Sequence, residues 1–385
     1  MKSKYALVAV GYNRIDSMKR LVQSLQEASY NENVDLIFSI DNSGTYAVEE
    51  YANSVIWRHG KKIIKTFPER LGLRNHILTC GDYVFSGYKA IAVFEDDIYV
   101  APTFFDFMKQ AVEYYQDDLT IAGISLYNHM WSEFNNRPFI AEKGKYDIYF
   151  LQYAQSWGQV WMPKQWKLFR DWYKTHNGDI VADKNTPGHI LNWAKTSWLK
   201  YHIKYCIDTG KYFVYPYVSC TTNFVEVGQH CKFRNTLYQV PLMFGGERQY
   251  SFGKVNSADS VKYDAFFERD AESLGRFLGI EPEELTVNIY GNKLEETRYV
   301  INTKRINKKV LASYALELKP QEMNIFKEIP GVEIFLYDTS LDVVNNTKLV
   351  DYDLSRWYYE SRVFDYKYII RVICKIILRK IKERK

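Results

Sequence analysis

Three short, largely apolar segments constrain the fold of this chain more than any other feature. They are Tyr5–Val10, Val34–Ile40 and Ala90–Phe94, and each has the length of a strand that is buried on both faces. An amphipathic segment, Ser17–Ala28, lies between the first two, and a helical pattern, Arg74–Ser86, precedes the third. Strands that alternate with helices predict an α/β fold with a mostly parallel central sheet and helices on both faces.

Polar residues follow these three strands at the point where each ends. Arg14 comes after the first strand, Asp41 after the second, and the acidic triplet Glu95-Asp96-Asp97 after the third. Ligands of parallel sheets bind beyond the carboxyl ends of the strands, so we expect these residues to share one site. Adjacent carboxylates repel each other, and Mg²⁺ or Mn²⁺ would offset that repulsion and hold a diphosphate. A solvated turn is the alternative explanation of the triplet taken alone.

The sequence around the triplet resembles the metal-binding region of the GT-A glycosyltransferases. Residues 94–105 read FEDDIYVAPTFF, and the resemblance is strongest to Golgi N-acetylglucosaminyltransferase I and its relatives and to bacterial capsule and lipopolysaccharide sugar transferases. It extends over about residues 5–235. Its further segments are Ala9–Arg14, Ser39–Asp41, Arg70–Asn75, Asp147–Trp172 and Pro216–Gly228 with His230.

The resemblance implies a GT-A fold, a Rossmann-like α/β sheet, and an inverting transfer from a nucleotide sugar, with UDP as the expected nucleotide. It implies that Asp97 binds the metal, that Asp96 lies by the ribose and that Glu95 lies by the donor sugar. Asp41 would accept a hydrogen bond from the uracil N–H. Arg14 would face the diphosphate, since a guanidinium forms paired hydrogen bonds with phosphate oxygens.

The resemblance also implies residues for the acceptor side. Asp171 would be the general base that takes the proton of the acceptor hydroxyl, and His230 would contact the diphosphate or the metal from a closing loop. A wet face of an amphipathic helix is the alternative for Asp171, and an ordinary loop histidine is the alternative for His230. Asn223 is a weaker candidate. The rivals of Asp171 for the role of base are Glu142, Asp147, Asp179 and Asp183.

Two departures from the Golgi enzymes qualify the resemblance. Those enzymes carry an N-terminal membrane anchor and a lumenal stem, whereas this sequence contains neither a signal-peptide pattern nor an apolar stretch long enough to span a bilayer. The residue before Asp171 is Arg170, where the family often has an acid. We therefore expect a cytoplasmic protein that is peripheral on the inner face of the cell membrane.

The cysteines agree with a reducing compartment. They are odd in number and irregularly spaced, and none forms a Cys-x-x-Cys pair. Free buried thiols are the expectation, and a zinc site is the minor alternative, because structural zinc ligands usually come in close pairs. The residues of that alternative site are Cys206, Cys220 and Cys231.

The last twenty residues have the pattern of a basic amphipathic helix. Eight of the 51 basic residues but one of the 46 acidic residues lie from Lys367 onward, so the rest of the chain carries about −2 and no nucleic-acid surface is expected. One side of the helix is apolar except for Lys380 and contains Ile369, Ile370, Val372, Ile373, Ile376, Ile377 and Ile381. Such a pattern favours an in-plane helix on an anionic membrane. Packing on the enzyme or on a protein partner is the alternative.

The predicted organisation has three parts. Residues 1–250 form the GT-A domain, with a donor half over about 1–127 and an acceptor half over about 128–250. Residues 251–355 form a small α/β accessory region, and residues 356–385 form the membrane-associating tail. The expected acceptor is a glycan of bacterial surface polysaccharide synthesis. A sugar-phosphate nucleotidyltransferase and a non-catalytic glycan-binding or membrane scaffold protein are the alternative functions.

Overall fold

The computed structural model describes residues 3–224, 237–294, 297–345, 358, 361–362 and 365–383. Its strands are β1 Tyr5–Gly11, β2 Val34–Ile40, β3 Lys62–Thr66, β4 Ala90–Glu95, β5 Ile98–Val100, β6 Ile121–Ser125, β7 Trp131–Ser132, β8 Arg137–Pro138, β9 Ile148–Leu151, β10 Gln159–Trp161, β11 Tyr212–Pro216, β12 Thr221–Asn223, β13 Lys262–Tyr263, β14 Leu285–Val287, β15 Tyr299–Asn302, β16 Lys308–Tyr314 and β17 Ile334–Asp342. Its α-helices are α1 Ile15–Glu27, α2 Ala47–Ser54, α3 Gly72–Asp82, α4 Phe104–Tyr115, α5 Pro163–Thr175, α6 Gly188–Leu191, α7 Leu199–Thr209, α8 Ala271–Leu278, α9 Met323–Phe326 and α10 Tyr366–Glu383.

A nine-stranded sheet organises the first two thirds of the chain. Its strand order is β13-β9-β11-β6-β10-β4-β1-β2-β3. Strands β3, β2, β1 and β4 are parallel neighbours, and β10 is antiparallel to both β4 and β6. Strands β6 and β4 therefore point the same way, and their carboxyl ends meet at one edge. The predicted α/β class, with a mostly parallel central sheet and helices on both faces, is confirmed.

Alternating side chains of the buried strands build two apolar layers, one on each face of the sheet. Leu7 packs on one face with Met18 of α1 and Phe107 of α4. Its neighbour Val8 points to the other face, where it packs with residues such as Ile77 of α3. Both faces of β1 and β2 are covered, which explains why these strands are almost continuously apolar.

The bounds of the three strands predicted from the sequence agree closely with the structure. The sequence from His189 to Tyr201 also predicts one helix, and this prediction is wrong. Helix α6 ends at Leu191, and α7 begins only at Leu199. Asn192, Thr196 and Ser197 lie between them, and the side chains of such residues compete with the backbone for hydrogen bonds in a helix.

The C-terminal part of the described chain has a sheet and a core of its own. The four-stranded sheet has the order β14-β15-β17-β16, and its core includes Leu274, Ile301, Ile325 and Ile334. Strand β13, which also lies beyond residue 250, pairs with β9 at the border of the central sheet. The accessory region is thus joined to the large sheet through β13. Its predicted bounds, 251 and 355, stay a prediction.

Helix α10 exposes its apolar side. The exposed fractions of Ile370, Ile373 and Ile377 are 55%, 49% and 51%. These side chains are therefore not buried against the part of the chain that the structure describes. Among the described residues, no helix combines the length and apolarity that a bilayer crossing requires.

Candidate active site

The acidic triplet lies at the carboxyl edge of the central sheet, beside Arg14. Glu95 is the last residue of β4, and Asp96 and Asp97 form the turn into β5. Arg14 stands just before α1 and donates Nε–H to Asp96 Oδ2 at 3.2 Å and Nη2–H to Asp97 Oδ2 at 3.2 Å, with a further ion pair to Asp96 Oδ1. Burial alone would lower the pKa of Arg14, but the two carboxylates outweigh it and raise that pKa. The sequence-predicted neighbours are thus brought together.

The carboxylates of the triplet influence one another's ionisation. Burial raises the pKa of Glu95 to about 8, and the charges of Asp97 and Asp96 add to that effect while Arg14 opposes it. Within the described residues, no group of three or more His, Cys, Asp or Glu side chains is arranged to hold a metal ion. Mg²⁺ is typically bound by one or two carboxylates together with substrate phosphates, so these residues fit a divalent cation that binds with a diphosphate.

Asp41 has a structural role in addition to its predicted contact with the base. Its carboxylate accepts backbone N–H groups from Asn42 at 2.9 Å, from Leu71 at 2.8 Å and from Gly72 at 3.0 Å. These bonds hold the N-terminus of α3 against the end of β2. A carboxylate accepts about four hydrogen bonds, which leaves room for one from a ligand. The uracil contact of Asp41 stays a prediction.

A polar group beneath Asp41 was not predicted from the sequence. Ser39 Oγ lies 2.8 Å from His76 Nε2 and 3.1 Å from the Tyr83 hydroxyl. Burial lowers the pKa of His76 to about 4, so this ring is neutral near pH 7. These contacts link β2 to α3. The one sequence feature that could have predicted them was a serine at the last but one position of a buried strand.

A two-stranded ribbon connects the triplet to the acceptor side. Strand β12 is antiparallel to β5, and the Phe224 N–H donates to the Asp97 carbonyl at 2.7 Å. Asn223, opposite Ile98, is buried, and its side-chain oxygen has no hydrogen-bond partner within the described chain. A buried acceptor of this kind normally has a donor. The weak candidate Asn223 therefore lies beside the triplet, where a ligand O–H or N–H would satisfy it.

Aromatic rings form the next part of the same edge. Trp157 packs edge-on against Tyr127, with ring centroids 4.7 Å apart, and lies 5.1 Å from the ring of Tyr238. Thr221 of β12 donates its hydroxyl to the Trp157 carbonyl at 2.6 Å. Gly158 has a φ of 96°, and a Cβ there would meet Thr221 closely, so glycine is required at this approach. Tyr127 is fully buried, whereas Trp157 and Tyr238 are partly exposed, so the last two rings are the ones suited to packing against a sugar.

Glu133 is a further acidic residue at this edge, and it was missed in the sequence. It lies in the hairpin β7–β8 that follows β6, and it is half-buried. Burial raises its pKa above the ordinary value. No described residue forms an ion pair with it. The available signal was a carboxylate between Trp131 and Phe134, directly after a strand that ends at the ligand edge.

The structure does not bring Asp171 to this site. Asp171 is exposed on α5, where hydrogen bonds from Lys167 and from Lys174, at 2.7 Å, lower its pKa to about 2. The adjacent Arg170 donates to Asp82, the last residue of α3, at 3.1 Å. Because α3 has eleven residues, Asp82 lies about 16 Å along the helix from the end that Asp41 holds. The role of Asp171 as the general base stays a prediction.

The other acceptor-side candidates are accounted for in different ways. His230 lies outside the described residues, and so does Cys231 of the alternative zinc site. Cys80, Cys206 and Cys220 are buried free thiols, as expected.

Each rival of Asp171 for the role of base has a cationic partner. The pairs are Glu142–Arg269 at 3.3 Å, Asp147–Arg248 at 2.6 Å, Asp179–Lys195 at 3.1 Å and Asp183–Lys204 at 2.7 Å.

Comparison with known proteins identifies solved structures but no family. No family model and no curated protein matches the chain. The mannosyltransferase PcManGT from Pyrobaculum calidifontis, in complex with GDP-Man and Mn²⁺, is 11% identical with a TM-score of 0.33, and the match covers 57% of this chain and 58% of that one. For S. aureus TarS in complex with UDP-GlcNAc the identity is 12%, the TM-score 0.38 and the coverages 59% and 60%.

A third match has a similar sequence identity and TM-score. GalNAc-T7 with UDP, GalNAc and Mn²⁺ is 14% identical with a TM-score of 0.36, and the match covers 57% of this chain and 43% of that one. The chain thus spans about 60% or less of the length of the three matched proteins. Matches of this extent do not assign the chain to a family, and the resemblance to Golgi N-acetylglucosaminyltransferase I stays a prediction.

Proposed function

We propose that this chain is a metal-dependent glycosyltransferase that transfers a sugar from a nucleotide sugar, with UDP as the expected nucleotide. The observation that carries the proposal is the acidic triplet beside Arg14 at the carboxyl edge of a parallel sheet. The pKa of Glu95 is raised to about 8 there, although Arg14 lies within hydrogen-bond distance of Asp96. Carboxylates at such an edge are suited to a divalent cation that binds together with a diphosphate.

The roles within the donor site follow from the chemistry of each side chain. Asp97 would hold Mn²⁺ or Mg²⁺, and a bound cation would stabilise the leaving diphosphate. Asp96 would lie by the ribose and Glu95 by the donor sugar. Arg14 is partly exposed, and its planar guanidinium can exchange carboxylate contacts for phosphate oxygens. Asp41 has room to accept one hydrogen bond from the uracil N–H.

An inverting reaction is the finer part of the proposal. In a single displacement the acceptor hydroxyl attacks the anomeric carbon while the nucleoside diphosphate leaves from the opposite side. A sugar hydroxyl is a weak nucleophile until a base removes its proton. Trp157 is partly exposed, so its ring could pack against an acceptor sugar, beside Asn223 and the triplet.

The donor site is tested by thermal shift with a panel of UDP- and GDP-sugars, with and without Mn²⁺. We expect at least one nucleotide sugar to raise the melting temperature in a manner that needs Mn²⁺, and Asp97→Ala to abolish that shift. Asp179→Ala, which removes an exposed carboxylate paired with Lys195, is the matched control and should behave like wild type. Mn²⁺-dependent binding that survives Asp97→Ala would refute the metal assignment.

We further propose that the acceptor is a lipid-linked glycan of bacterial surface polysaccharide synthesis, met at the cytoplasmic face of the membrane. Helix α10 supports this proposal, because its apolar side chains, such as Ile373 at 49% exposure, are not covered by the described chain. Its sequence places Lys367, Arg371 and Lys375 on the other side. Each basic residue near an anionic lipid surface contributes about 1 kcal/mol of attraction.

Liposome flotation tests the membrane proposal. The full chain should float with vesicles that contain phosphatidylglycerol and bind more weakly to pure phosphatidylcholine, and a variant that lacks residues 366–385 should stay in the dense fraction. Substitution of Ile373 and Ile377 by Ser is a milder variant that keeps every charge. If the deletion floats as well as the full chain, α10 is not the membrane anchor.

A further inference from the structure

Trp157 lies at the carboxyl edge of the central sheet, between the ends of β4 and β6. Strand β10 pairs Gln159 with Val93 of β4, and two residues further this antiparallel register brings the backbone of Trp157 opposite Glu95. On the other side, the Trp157 ring contacts the ring of Tyr127, which follows β6, at a centroid distance of 4.7 Å. The residue is therefore a direct neighbour of the acidic triplet in the sheet.

The backbone of Gly158 decides which face of the sheet the Trp157 ring occupies. Side chains alternate along a regular strand, so Trp157 would share the face of Trp161. Gly158 has a φ of 96°, which breaks that alternation. Trp161 belongs to one apolar layer, whereas Trp157 packs against the opposite layer, which includes Ile98 of β5. The Trp157 ring thus lies on the face that also carries the β5–β12 ribbon.

Tyr238 forms a corner with Trp157. The two ring centroids are 5.1 Å apart, the ring planes are inclined by 45°, and both side chains are partly exposed. The Tyr238 carbonyl accepts the Tyr127 hydroxyl at 2.9 Å. Val240, two residues further, donates its N–H to Thr222 Oγ of β12 at 3.2 Å. The second ring of this aromatic corner is thus tied both to the sheet and to the ribbon.

The ribbon fixes the distance between the aromatic corner and the metal-binding turn. Thr221 donates its hydroxyl to the Trp157 carbonyl at 2.6 Å, and the Phe224 N–H donates to the Asp97 carbonyl at 2.7 Å. Thr221 and Phe224 are three residues apart in an extended segment, so the two attachment points are about 10 Å apart. That spacing accommodates a donor sugar at the triplet and a second sugar on the corner.

We propose that Trp157 and Tyr238 form the acceptor subsite and that the acceptor group is a pyranose ring, an inference that rests on the proposed function. A hexopyranose carries C–H groups on its faces and hydroxyls around its rim. One C–H face packs on the Trp157 indole, and Tyr238 closes the side of the ring. A rim hydroxyl is thereby directed toward the donor sugar beside Glu95.

The chemistry of the aromatic corner selects among acceptor classes. A pyranoside buries flat apolar surface against the two rings, and that burial stabilises the complex. An acyclic polyol phosphate has no such face and gains little from Trp157 or Tyr238. If the two rings serve only to join β10 to the segment from residue 237 onward, acceptor affinity will not depend on them.

The test compares wild type with Trp157→Ala, Trp157→Phe and Tyr238→Ala in the full chain. Release of nucleoside diphosphate is measured with Mn²⁺ and the nucleotide sugar that gives the largest thermal shift. The acceptors are a panel of p-nitrophenyl hexopyranosides and, as acyclic compounds, glycerol 3-phosphate and ribitol 5-phosphate. Wild type should transfer to at least one pyranoside in preference to both phosphates. Trp157→Ala and Tyr238→Ala should raise the KM for that pyranoside by about 10-fold or more.

Two further measurements separate an acceptor contact from a contact that only supports the fold. The Mn²⁺-dependent thermal shift with the donor should be the same in every variant as in wild type. Trp157→Phe keeps a smaller ring and should recover part of the acceptor affinity. Tyr114→Ala removes a ring that is 41% exposed in the last turn of α4, and this matched control should keep the wild-type KM.

Three outcomes would overturn the assignment. They are an unchanged acceptor KM in Trp157→Ala and Tyr238→Ala, a loss of the donor-induced shift that parallels the rise in KM, and a wild type that binds the donor but transfers to none of the pyranosides. Failure of the proposed function has a different signature, since wild type itself would then show neither Mn²⁺-dependent donor binding nor nucleotide release.

Discussion

At the scale of single residues, the charged groups of the site pair with residues that are distant in the sequence and adjacent in the sheet. Arg14 and Asp96 are 82 residues apart in the sequence. They meet because β1 and β4 are parallel neighbours whose carboxyl ends coincide. In the proposed function, this partly buried salt bridge pairs the charge of Arg14 until a diphosphate binds.

One glycine shows how tightly α3 is packed. A Cβ on Gly81 would overlap the indole ring of Trp166, which is fully buried. Alanine favours a helix over glycine by about 1 kcal/mol, so propensity alone would make Gly81→Ala stabilising. We expect the overlap to dominate and Gly81→Ala to lower the free energy of unfolding by about 1–3 kcal/mol, measured by urea denaturation.

Gly178 provides the control for that substitution. A Cβ on Gly178 has no atom within 4 Å, and its backbone is not in the left-handed region. Gly178→Ala should therefore leave the unfolding free energy unchanged or slightly raised. Equal changes in unfolding free energy for the two substitutions would mean that Trp166 shifts with little loss of stability.

The predictability of the site from sequence differs from residue to residue for a physical reason. Arg14, Asp41 and Glu95 could be placed together because buried parallel strands are recognisable as apolar runs and end at one edge. Glu133 could not be placed, because its hairpin is held by Phe266 and Asn292, whose distances in sequence from Asn135 are 131 and 157 residues. No local pattern reports such pairings.

At the scale of secondary-structure elements, predictions that rest on local apolar patterns are confirmed, and the wrong one depends on tertiary contacts. Strands β1, β2 and β4 begin and end within one residue of the predicted bounds, because apolar runs of this length are informative without context. The split between α6 and α7 depends on the polar residues between Leu191 and Leu199, whose effect on a helix is weak and is decided by tertiary packing.

The β7–β8 hairpin is the element whose support can be tested directly. Asn135→Ala removes the side-chain bonds to Phe266 and Asn292 and leaves a buried carbonyl without its donor. We expect a loss of about 1–3 kcal/mol in unfolding free energy. The Mn²⁺-dependent thermal shift with the donor should stay the same.

An exposed asparagine provides the comparison for this variant. Asn53 on α2 donates to the Glu49 carbonyl at 3.1 Å in solvent, so Asn53→Ala should change neither quantity appreciably. An Asn135→Ala variant as stable as wild type would mean that the hairpin does not depend on these bonds.

At the scale of the whole molecule, the C-terminal region is joined to the large sheet by buried ionisable groups. Glu268 is buried, and burial raises its pKa to about 8, with Lys293 acting in the opposite direction. Its carboxylate accepts the Tyr290 N–H at 3.4 Å, and Lys293 bonds Asp264 in the same cluster. The ionisation of Glu268 therefore makes the stability of this junction depend on pH, at a distance from the proposed site.

Stability should depend on the protonation of Glu268. The pKa in the folded state lies above the ordinary value of 4.5, so the folded state binds the proton more tightly than the unfolded state does. This contribution to stability is fully present below about 4.5 and is lost as pH rises through about 8. The melting temperature of wild type should decrease across that interval, as measured by calorimetry.

Glu268→Gln removes the titration and should give a flatter curve over the same interval. Glu281→Gln, an exposed acid near α8, should keep the wild-type slope. A wild-type melting temperature that does not change between these pH values would show that Glu268 is solvated or paired more strongly than its surroundings indicate.

The antiparallel strand β10 has a consequence for how the chain is synthesised. The first hundred residues contain β1, β2, β3 and β4 with their helices, so this part can pair its parallel strands as soon as it leaves the ribosome. Strand β4 then has one open side until Gln159–Trp161 arrives to cover it. An open apolar strand edge is a site of aggregation. A nascent chain that stalls between residues 100 and 159 would thus expose the strand that ends in the triplet, and these lengths are where a chaperone would be needed most.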